Sequence, residues 1–426
     1  MGAKGKPGKA QGRLTLRGSR LVSRLAAQTK APHMLSNGRH YLAIPGPSVM
    51  PDRVLSAMHR AAPNIYTGQL IEMTQGLIPD LKAVARTAHH AAIYIGNGHA
   101  AWEAALANIL SRGDLVLVLA TGRFCLGWGT MAQGLGVQVE VMDFGWQDDI
   151  DLARVAERLA ADPDGRIRAV LAVHVDTSTS VRNDIAGLRA VLDGAGHPAL
   201  LAVDCIASLG CDAFEMDAWG VDVMVTASQK GLMTPPGLGF VFFNDKADAA
   251  RGRADCVTGY WDWRPRVAPE GYYQYFDGTA PTHHLYGLRA ALDMIGEEGI
   301  EAVWARHATL ARAIWAAFDA WGQEGALRLN IADPAKRSHA VTAAVMASPD
   351  GDRLRAWCEG VAGVTLGIGL GRDPADAYFR IGHMGHVNAH MVLGVLAVME
   401  AGMTALAIPH GRGALDAAAD VVAGVR

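Results

Sequence analysis

Seven short apolar runs in the middle of the chain constrain its fold more than any other feature. They alternate with amphipathic stretches of helical length between residues 91 and 244. Uninterrupted apolar runs are typical of strands that are covered on both faces, as in parallel sheets between helix layers. The runs are residues 91–95, 115–120, 137–144, 169–175, 199–203, 221–226 and 239–243. The sequence therefore predicts an α/β fold with a seven-stranded, mostly parallel sheet.

Four amphipathic stretches between these runs predict helices. They are residues 99–111, 124–135, 150–160 and 183–192. The first follows a Gly-Asn-Gly turn. The third follows Asp148 and Asp149, whose carboxylates are expected to cap it, because an acidic side chain before a helix can accept its free backbone N–H groups.

A different pattern follows the central region and predicts a second domain. A long helical segment at 282–298 and 299–321 leads into strands and helices at 340–346, 351–360, 365–370, 378–382 and 387–405. We expect a large α/β domain at 36–300, which includes an N-terminal arm, and a smaller C-terminal α+β domain at 301–426. An aromatic loop at 253–279 is interpreted as a subunit interface, or alternatively as a lid over a substrate.

Composition excludes several classes of partner. Half of the 426 residues are hydrophobic and the net charge is −3, so there is no basic excess to attract nucleic acid. No apolar run reaches the roughly 18 to 20 residues that cross a bilayer, and no membrane helix is expected. The five cysteines form no CxxC pair and no metal-ligand cluster. We therefore expect reduced thiols, no metal and a cytoplasmic location.

The first 35 residues differ from the rest of the chain. They contain no acidic residue, but they carry the basic residues Lys4, Lys6, Lys9, Arg13, Arg17, Arg20, Arg24 and Lys30. We expect a disordered leader, which is either a transit peptide or, as we favour, an upstream start before Met34.

One lysine and one carboxylate stand at the ends of consecutive apolar runs. Lys230 follows the run at 221–226 and precedes a turn rich in proline and glycine, and Asp204 ends the run at 199–203. A lysine amine can condense with the aldehyde of pyridoxal phosphate, and a carboxylate can keep its pyridine nitrogen protonated. The pair therefore predicts a pyridoxal-phosphate site.

Other residues at strand ends suit the same cofactor, because ligands of open α/β sheets lie beyond the carboxyl ends of the strands. Residues 96–100 open a helix whose free N–H groups can hold a phosphate. Phe124 offers an aromatic face, and residues 176–180 offer hydroxyl groups. Each feature alone is also typical of a turn or of core packing, but together they form a complete set for one ligand.

These motifs resemble those of the class V, fold type I, pyridoxal-phosphate aminotransferases, specifically the serine/alanine–glyoxylate aminotransferase group. The resemblance spans roughly residues 40 to 405. Its motifs are Ile44-Pro-Gly-Pro47, Gly96-Asn-Gly-His-Ala-Ala-Trp-Glu103, Asp176-Thr-Ser-Thr179, Val203-Asp-Cys-Ile-Ala-Ser-Leu-Gly210, Ser228-Gln-Lys-Gly231 with Pro235-Pro-Gly237, and Phe379-Arg-Ile-Gly382.

The resemblance implies a role for each matching residue. Lys230 would bond the cofactor and carry the proton, Asp204 would pair with the pyridine nitrogen, and Arg380 would bind the substrate α-carboxylate through its planar fork. The remaining cofactor contacts implied are Gly98, His99, Ala100, Phe124, Thr177, Gln229 and, across a dimer interface, Thr279. The remaining substrate contacts implied are Pro45, Gly46 and Tyr66.

The implied activity is transfer of an amino group from serine or alanine to glyoxylate or pyruvate by a ping-pong mechanism, in a homodimer with shared active sites. The sequence departs from the family pattern in three segments, so the amino donor stays open. They are Ile65-Tyr-Thr-Gly68, Ser178-Thr-Ser180 and Thr121-Gly-Arg-Phe-Cys125.

Three other readings remain. The same cofactor could serve a class V lyase or cysteine desulfurase, although Cys256 and Cys358 lack the serine-rich setting of a desulfurase loop. An aminotransferase could use a different donor, such as pyridoxamine. The Gly-Asn-Gly turn could belong to a nucleotide-binding module, but it lacks the third glycine of the dinucleotide motif, and that reading gives Lys230 no role.

Overall fold

The computed structural model describes residues 35–424, so all but the last residue of the leader predicted at 1–35 lies outside the described residues. The strands are β1 Tyr41–Ala43, β2 His90–Gly96, β3 Leu115–Ala120, β4 Gln138–Asp143, β5 Ile167–Val173, β6 Leu200–Asp204, β7 Val223–Ala227, β8 Gly237–Phe243, β9 Arg328–Leu329, β10 Val341–Val345, β11 Val364–Ile368 and β12 Tyr378–Gly382. The helices are α1 Asp52–Met58, α2 Gln69–Ala85, α3 Gly98–Ile109, α4 Arg123–Gly134, α5 Leu152–Ala160, α6 Ile185–Gly194, α7 Asp245–Arg251, α8 Arg264–Val267, α9 Thr282–Glu298, α10 Ile300–Trp321, α11 Asp350–Ala362, α12 Ala389–Ala405 and α13 Ala414–Ala423.

The seven apolar runs form one sheet, as predicted. Its strand order is β2-β8-β7-β6-β5-β3-β4, and every strand boundary lies within two residues of the predicted one. Neighbouring strands are parallel except where β8 pairs with β2 and β7. The predicted α/β class with a mostly parallel sheet is confirmed.

Two separate cores cover the two faces of this sheet. Along β3, Leu117 and Leu119 belong to one core, whereas Val116 and Val118 belong to the other. Successive strand residues point to opposite faces, so a strand with two buried faces needs apolar residues at consecutive positions. This packing explains the uninterrupted apolar runs.

The edge strand β4 is the exception. Its residues are not fully buried, and Val141 is 47% exposed. The expectation that all seven strands are covered on both faces is therefore wrong for β4, whereas the other edge strand, β2, is largely buried. The polar residues within its sequence agree with that position.

The predicted cap of the third helix is also wrong. The helix α5 begins at Leu152, and Asp151 Oδ1 accepts hydrogen bonds from the backbone N–H groups of Ala153 at 3.0 Å and Arg154 at 3.2 Å. Asp148 and Asp149 lie too far before the helix to reach those groups. They pair instead with Lys336.

The second sheet has the strand order β1-β11-β12-β10-β9. The strand β12 matches the predicted range 378–382 to the residue, and α9 and α10 match the predicted long helical segment. The strand β1 was not predicted, because three residues are too short to show a pattern. It pairs in parallel with β11, so the N-terminal arm joins the second sheet. The division into domains at residue 300 stays a prediction.

None of the helices within residues 35–424 is long and apolar enough to cross a membrane.

Candidate active site

A cavity of about 200 Å³ lies at the carboxyl end of the large sheet, where β6 and β7 end. Parallel strands bring their carboxyl ends to one edge, so residues far apart in sequence meet there. The cavity is lined by Asn97, Gly98, His99, Trp102, Phe124, Val175, Thr177, Asp204, Ile206, Ala207, Gln229 and Lys230. Seven residues predicted from the sequence are therefore brought together, namely Gly98, His99, Phe124, Thr177, Asp204, Gln229 and Lys230.

Lys230 lies in the turn after β7, partly exposed to the cavity. Its Nζ donates a hydrogen bond to the carbonyl oxygen of Pro45, and its own carbonyl accepts one from Ser48 Oγ at 2.7 Å. Burial, together with the charge of Arg380, lowers the pKa of Lys230 to about 8, while Asp204 opposes the shift. The amine can therefore lose its proton near neutral pH.

Gly46 allows the lysine to reach this position. Its φ is +104°, and a β-carbon at this position would collide with the side chain of Lys230. Pro45 and Gly46 thus contact the lysine, although neither lines the cavity. The N-terminal arm places them there, through the pairing of β1 with β11.

Asp204 ends β6 and is 3% exposed. Its Oδ2 accepts a hydrogen bond from Trp102 Nε1 at 2.8 Å, and its Oδ1 accepts one from the backbone N–H of Ile206 at 2.6 Å. Burial raises the pKa of Asp204 to about 7, and these two donors partly oppose the shift. A cation in the cavity, such as a protonated pyridine ring, would stabilise the carboxylate.

The start of α3 forms another wall of the cavity. Asn97 caps this helix, because its Oδ1 accepts a hydrogen bond from the backbone N–H of His99 at 3.0 Å. Gly98 packs so closely on Ile206 that a β-carbon would collide with it. Burial lowers the pKa of the His99 imidazole, which favours its neutral form. Ala100 lies in the first turn but does not line the cavity.

Asp176 fixes the wall that carries Phe124 and Thr177. Its Oδ2 accepts a hydrogen bond from the backbone N–H of Phe124 at 2.8 Å, and its Oδ1 accepts one from Ser178 Oγ at 2.6 Å. Of the hydroxyl cluster at 176–180, only Thr177 lines the cavity. The Ser178 hydroxyl is engaged by Asp176 and by the backbone N–H of Arg123 at 3.1 Å.

Arg380 lies on β12 of the second sheet and is 8% exposed. It donates from Nε to the carbonyl oxygen of Ile368 at 2.7 Å and from Nη1 to that of Thr177 at 2.9 Å. No carboxylate in the described chain forms an ion pair with it. Burial lowers the pKa of Arg380 to about 10, against the attraction of Asp176. A buried guanidinium without an acidic partner suits a carboxylate ligand.

Two predicted residues are exposed on their own chain. Tyr66 is 83% exposed, and Thr279 is exposed in the loop before α9. Neither lines the cavity.

Sequence reasoning missed three residues that organise the site. Asn97 stands directly before a helix, which is the signal of a capping residue. Trp102 follows His99 by three positions and therefore shares its helix face. Asp176 had no signal beyond its place in a polar turn, because its partner Phe124 is 52 positions away.

The cavity fits pyridoxal phosphate on the residues present. A buried carboxylate suits a protonated ring nitrogen, an amine of lowered pKa suits an aldehyde, and a capped helix start suits a phosphate. The side-chain carbonyl oxygen of Gln229 is buried and has no hydrogen-bond partner in the structure. An unsatisfied buried polar atom in a cavity wall is typical of a ligand site.

Comparison with known proteins decides the family. The family model of the class-V aminotransferases matches residues 40–366. The chain belongs to the class-V aminotransferases. Serine–glyoxylate aminotransferase of Arabidopsis thaliana is 37% identical over 373 residues, which cover 86% of this chain and 91% of that protein.

This class-V aminotransferase is also similar to two further enzymes, one compared by sequence and one by structure. L-aspartate–glyoxylate aminotransferase of Paracoccus denitrificans is 36% identical over 88% of this chain and 94% of that protein. The crystal structure of pyridoxamine–pyruvate aminotransferase from Mesorhizobium loti has a TM-score of 0.82 at 27% identity and covers 90% of this chain and 97% of that one.

The expectations of a fold type I transferase and of a pyridoxal-phosphate-dependent transaminase are confirmed. Within residues 35–424 no group of three or more metal-ligating side chains could hold a metal ion.

Proposed function

We propose that this aminotransferase moves the amino group of a small amino acid, serine or alanine, to a small 2-oxo acid, glyoxylate or pyruvate. The observation that carries the proposal is a combination of two cations. Lys230, an amine of lowered pKa, lines the cavity, and Arg380, which has no carboxylate partner among residues 35–424, donates to the carbonyl oxygen of the lining residue Thr177. The relatives whose names include glyoxylate support the choice of acceptor.

In this proposal Arg380 binds the α-carboxylate of each substrate. A planar guanidinium can form two parallel hydrogen bonds to a carboxylate, which fixes the orientation of the substrate as well as its position. Amino acids and 2-oxo acids share this carboxylate, so one arginine serves both halves of a ping-pong reaction. Pro45 and Gly46 would border the substrate at the same end of the site.

Lys230 is the proposed proton carrier. Bound pyridoxal phosphate supplies a ring that takes up the electrons left behind when a proton leaves the amino acid's α-carbon. Lys230 Nζ would take that proton from the α-carbon and deliver it to the cofactor carbon that carried the aldehyde, and it would move a proton the opposite way in the second half-reaction. This role requires an amine that is partly unprotonated at the working pH. A pKa of about 8 meets that requirement.

The remaining wall residues would hold the cofactor. Asp204 would keep the ring nitrogen protonated, Phe124 would stack on the ring, and Thr177 would bond the ring hydroxyl group. The phosphate would lie at the start of α3, against the backbone of Gly98, His99 and Ala100 with Gln229 beside it.

We propose a cytoplasmic homodimer in which two subunits share each site. The exposed positions of Thr279 and Tyr66 support this arrangement, because neither side chain lines the cavity of its own chain. Thr279 would reach the phosphate held by a neighbouring subunit, and Tyr66 would border a substrate there. Light scattering coupled to gel filtration should give about twice the chain mass of 45.1 kDa, and a single-chain mass would contradict the proposal.

The cysteines argue against a desulfurase. All five are buried, and burial raises the pKa of Cys358 to about 12 and also raises that of Cys256. A desulfurase needs an accessible thiolate, which a buried thiol with a raised pKa does not supply.

A donor panel tests the proposed function. Purified enzyme is supplied with serine, alanine, aspartate or pyridoxamine against glyoxylate and pyruvate, and the amino product is quantified. We expect the fastest turnover with serine or alanine and glyoxylate. Turnover of pyridoxamine alone would favour the donor named for the Mesorhizobium loti enzyme, and breakdown of cysteine without a 2-oxo acid would favour a lyase.

A further inference from the structure

We propose that Trp102 is a positioning residue that holds the Asp204 carboxylate, in its charged form, toward the ring nitrogen of the cofactor. The inference rests on the pyridoxal-phosphate chemistry of the proposed function. It starts from one contact, the hydrogen bond of 2.8 Å from Trp102 Nε1 to Asp204 Oδ2.

The two oxygens of Asp204 are held separately. The Ile206 N–H binds Oδ1 at 2.6 Å, and the Trp102 indole binds Oδ2, so the plane of the carboxylate is fixed by two donors from different elements. An indole nitrogen can only donate and never accept. Trp102 therefore stabilises the anion in preference to the protonated acid.

Trp102 is itself held rigidly. It is 1% exposed and stacks on Trp128 with ring centroids 6.1 Å apart and an angle of 17°. Phe124 meets it edge-on at 6.3 Å, and the His99 ring lies 4.6 Å away. A donor with this little freedom of movement can orient its acceptor at small entropic cost.

The other charges near Asp204 do not replace this donor. Asp176 repels the carboxylate from the loop after β5, and Lys230 attracts it from the turn after β7. The thiols of Cys125 and Cys205 also lie nearby, and burial raises the pKa of each far above its ordinary value, so they stay neutral. Lys230 acts on the carboxylate only through its charge, whereas the hydrogen bonds from Trp102 and Ile206 contact its oxygens directly.

This role predicts a pH-dependent contribution to cofactor binding. In the cofactor-free protein Asp204 is protonated below about pH 7, so binding of a cationic ring converts the acid to the anion and strengthens the Trp102 bond. At alkaline pH the Asp204 carboxylate is ionised both before and after the cofactor binds. Trp102 then stabilises the free and the bound protein equally, so it contributes nothing to the binding free energy. A purely structural effect of Trp102 on packing would be the same at both pH values.

The test compares W102F with W128F. Trp128 is as deeply buried and stacks on Trp102, but its indole donates to the carbonyl oxygen of Trp102 at 3.4 Å and does not contact Asp204. Cofactor-free full-length protein is titrated with pyridoxal phosphate at about pH 6 and about pH 9.5, on either side of the Asp204 transition. Each variant is compared with the wild type at the same pH, which cancels the ionisation of the cofactor itself.

We expect W102F to bind about 10- to 100-fold more weakly than wild type at the lower pH, as for a lost hydrogen bond to a charged group. At the higher pH its affinity should approach that of the wild type. W128F should differ equally little from wild type at both pH values. An equal deficit of W102F at both pH values, or a W128F deficit with the same pH dependence, would overturn the proposal.

Two further measurements, a double variant of Trp102 and Asp204 and an NMR pH titration of the tryptophan indoles, test the same contact. In a D204A background, W102F should cost little further affinity. If W102F does not fold, the indole N–H resonances of ¹⁵N-tryptophan-labelled protein are followed with pH. One resonance should titrate in the wild type and not in D204A, and its absence would refute the contact. Wild-type protein that binds the cofactor but does not transaminate would overturn the proposed function. The cofactor titrations of W102F and W128F would still test the role of Trp102.

Discussion

Two lysines of this protein have opposite electrostatic surroundings. Lys336, on the surface, lies against Asp148 and 2.7 Å from Asp149, and these carboxylates raise its pKa. Lys230, at the cavity, donates among the described residues only to a neutral carbonyl oxygen, and burial lowers its pKa to about 8. The difference shows that a reactive amine is produced by withholding acidic partners and water, since the side chain is the same in both places.

Two arginines repeat the contrast. Arg158 donates from Nε and Nη2 to the two carboxylate oxygens of Glu140, at 2.5 and 2.7 Å, and this pairing raises the pKa of Arg158. Within residues 35–424 Arg380 donates only to carbonyl oxygens, and burial lowers its pKa. Among residues 35–424 no carboxylate forms an ion pair with Lys230 or Arg380, so both cations can still bind an acidic ligand directly.

The largest expected effect comes from a test of the difference between the two lysines. Lys230→Ala removes the proposed proton carrier and should lower kcat by about 10²- to 10⁴-fold or more, while the cofactor can still bind. Lys336→Ala removes the same amine from the surface and should change kcat by less than about twofold. Transaminase assays and cofactor absorbance measure both. Retained turnover in Lys230→Ala would remove that lysine from the mechanism.

The arginine comparison gives the next effect. Arg380→Ala should raise the KM for both the amino acid and the 2-oxo acid by about 10- to 100-fold, because each loses a charged hydrogen-bond partner. Arg158→Ala should leave both KM values unchanged. Steady-state kinetics with each substrate varied in turn provide the measurement, and an unchanged pair of KM values for Arg380→Ala would place the carboxylate elsewhere.

A pair of glycines tests how closely the N-terminal arm must approach Lys230. Gly46→Ala introduces a β-carbon into the space of the lysine side chain and should lower kcat/KM by about tenfold, through displacement of the amine. Gly38 also has a positive φ, of +149°, but no atom of residues 35–424 lies within 4 Å of the place that its β-carbon would take. Gly38→Ala therefore reproduces the backbone strain alone, and equal losses in the two variants would assign the effect to strain.

The smallest effect is a shift in the pH midpoint of cofactor capture. The rate at which cofactor-free protein captures pyridoxal phosphate should rise about tenfold per pH unit and level off above about pH 8, because only the neutral amine of Lys230 reacts. In Arg380→Ala this midpoint should move upward, since a like charge that lowers the pKa has gone. Stopped-flow absorbance follows the reaction. A wild-type midpoint near the ordinary lysine value of 10.5 would contradict the lowered pKa.

Much of the site could be predicted from the sequence, because its residues stand at strand ends. Seven of the predicted residues line one cavity. The contacts between them could not be predicted. Trp102 and Asp204 are 102 positions apart, and Arg380 and Thr177 are 203 positions apart, so no local pattern links either pair.

The sequence by itself determined the layered α/β architecture, because burial of both sheet faces demands uninterrupted apolar strands, and it determined which lysine and carboxylate end adjacent strands. Only the tertiary structure decided what surrounds them. The three-residue strand β1 carries no pattern of its own, yet its pairing with β11 brings Pro45 and Gly46 against Lys230. The pKa values of Lys230 and Asp204 depend on burial and on partners from distant segments, and these exist only once the chain has folded.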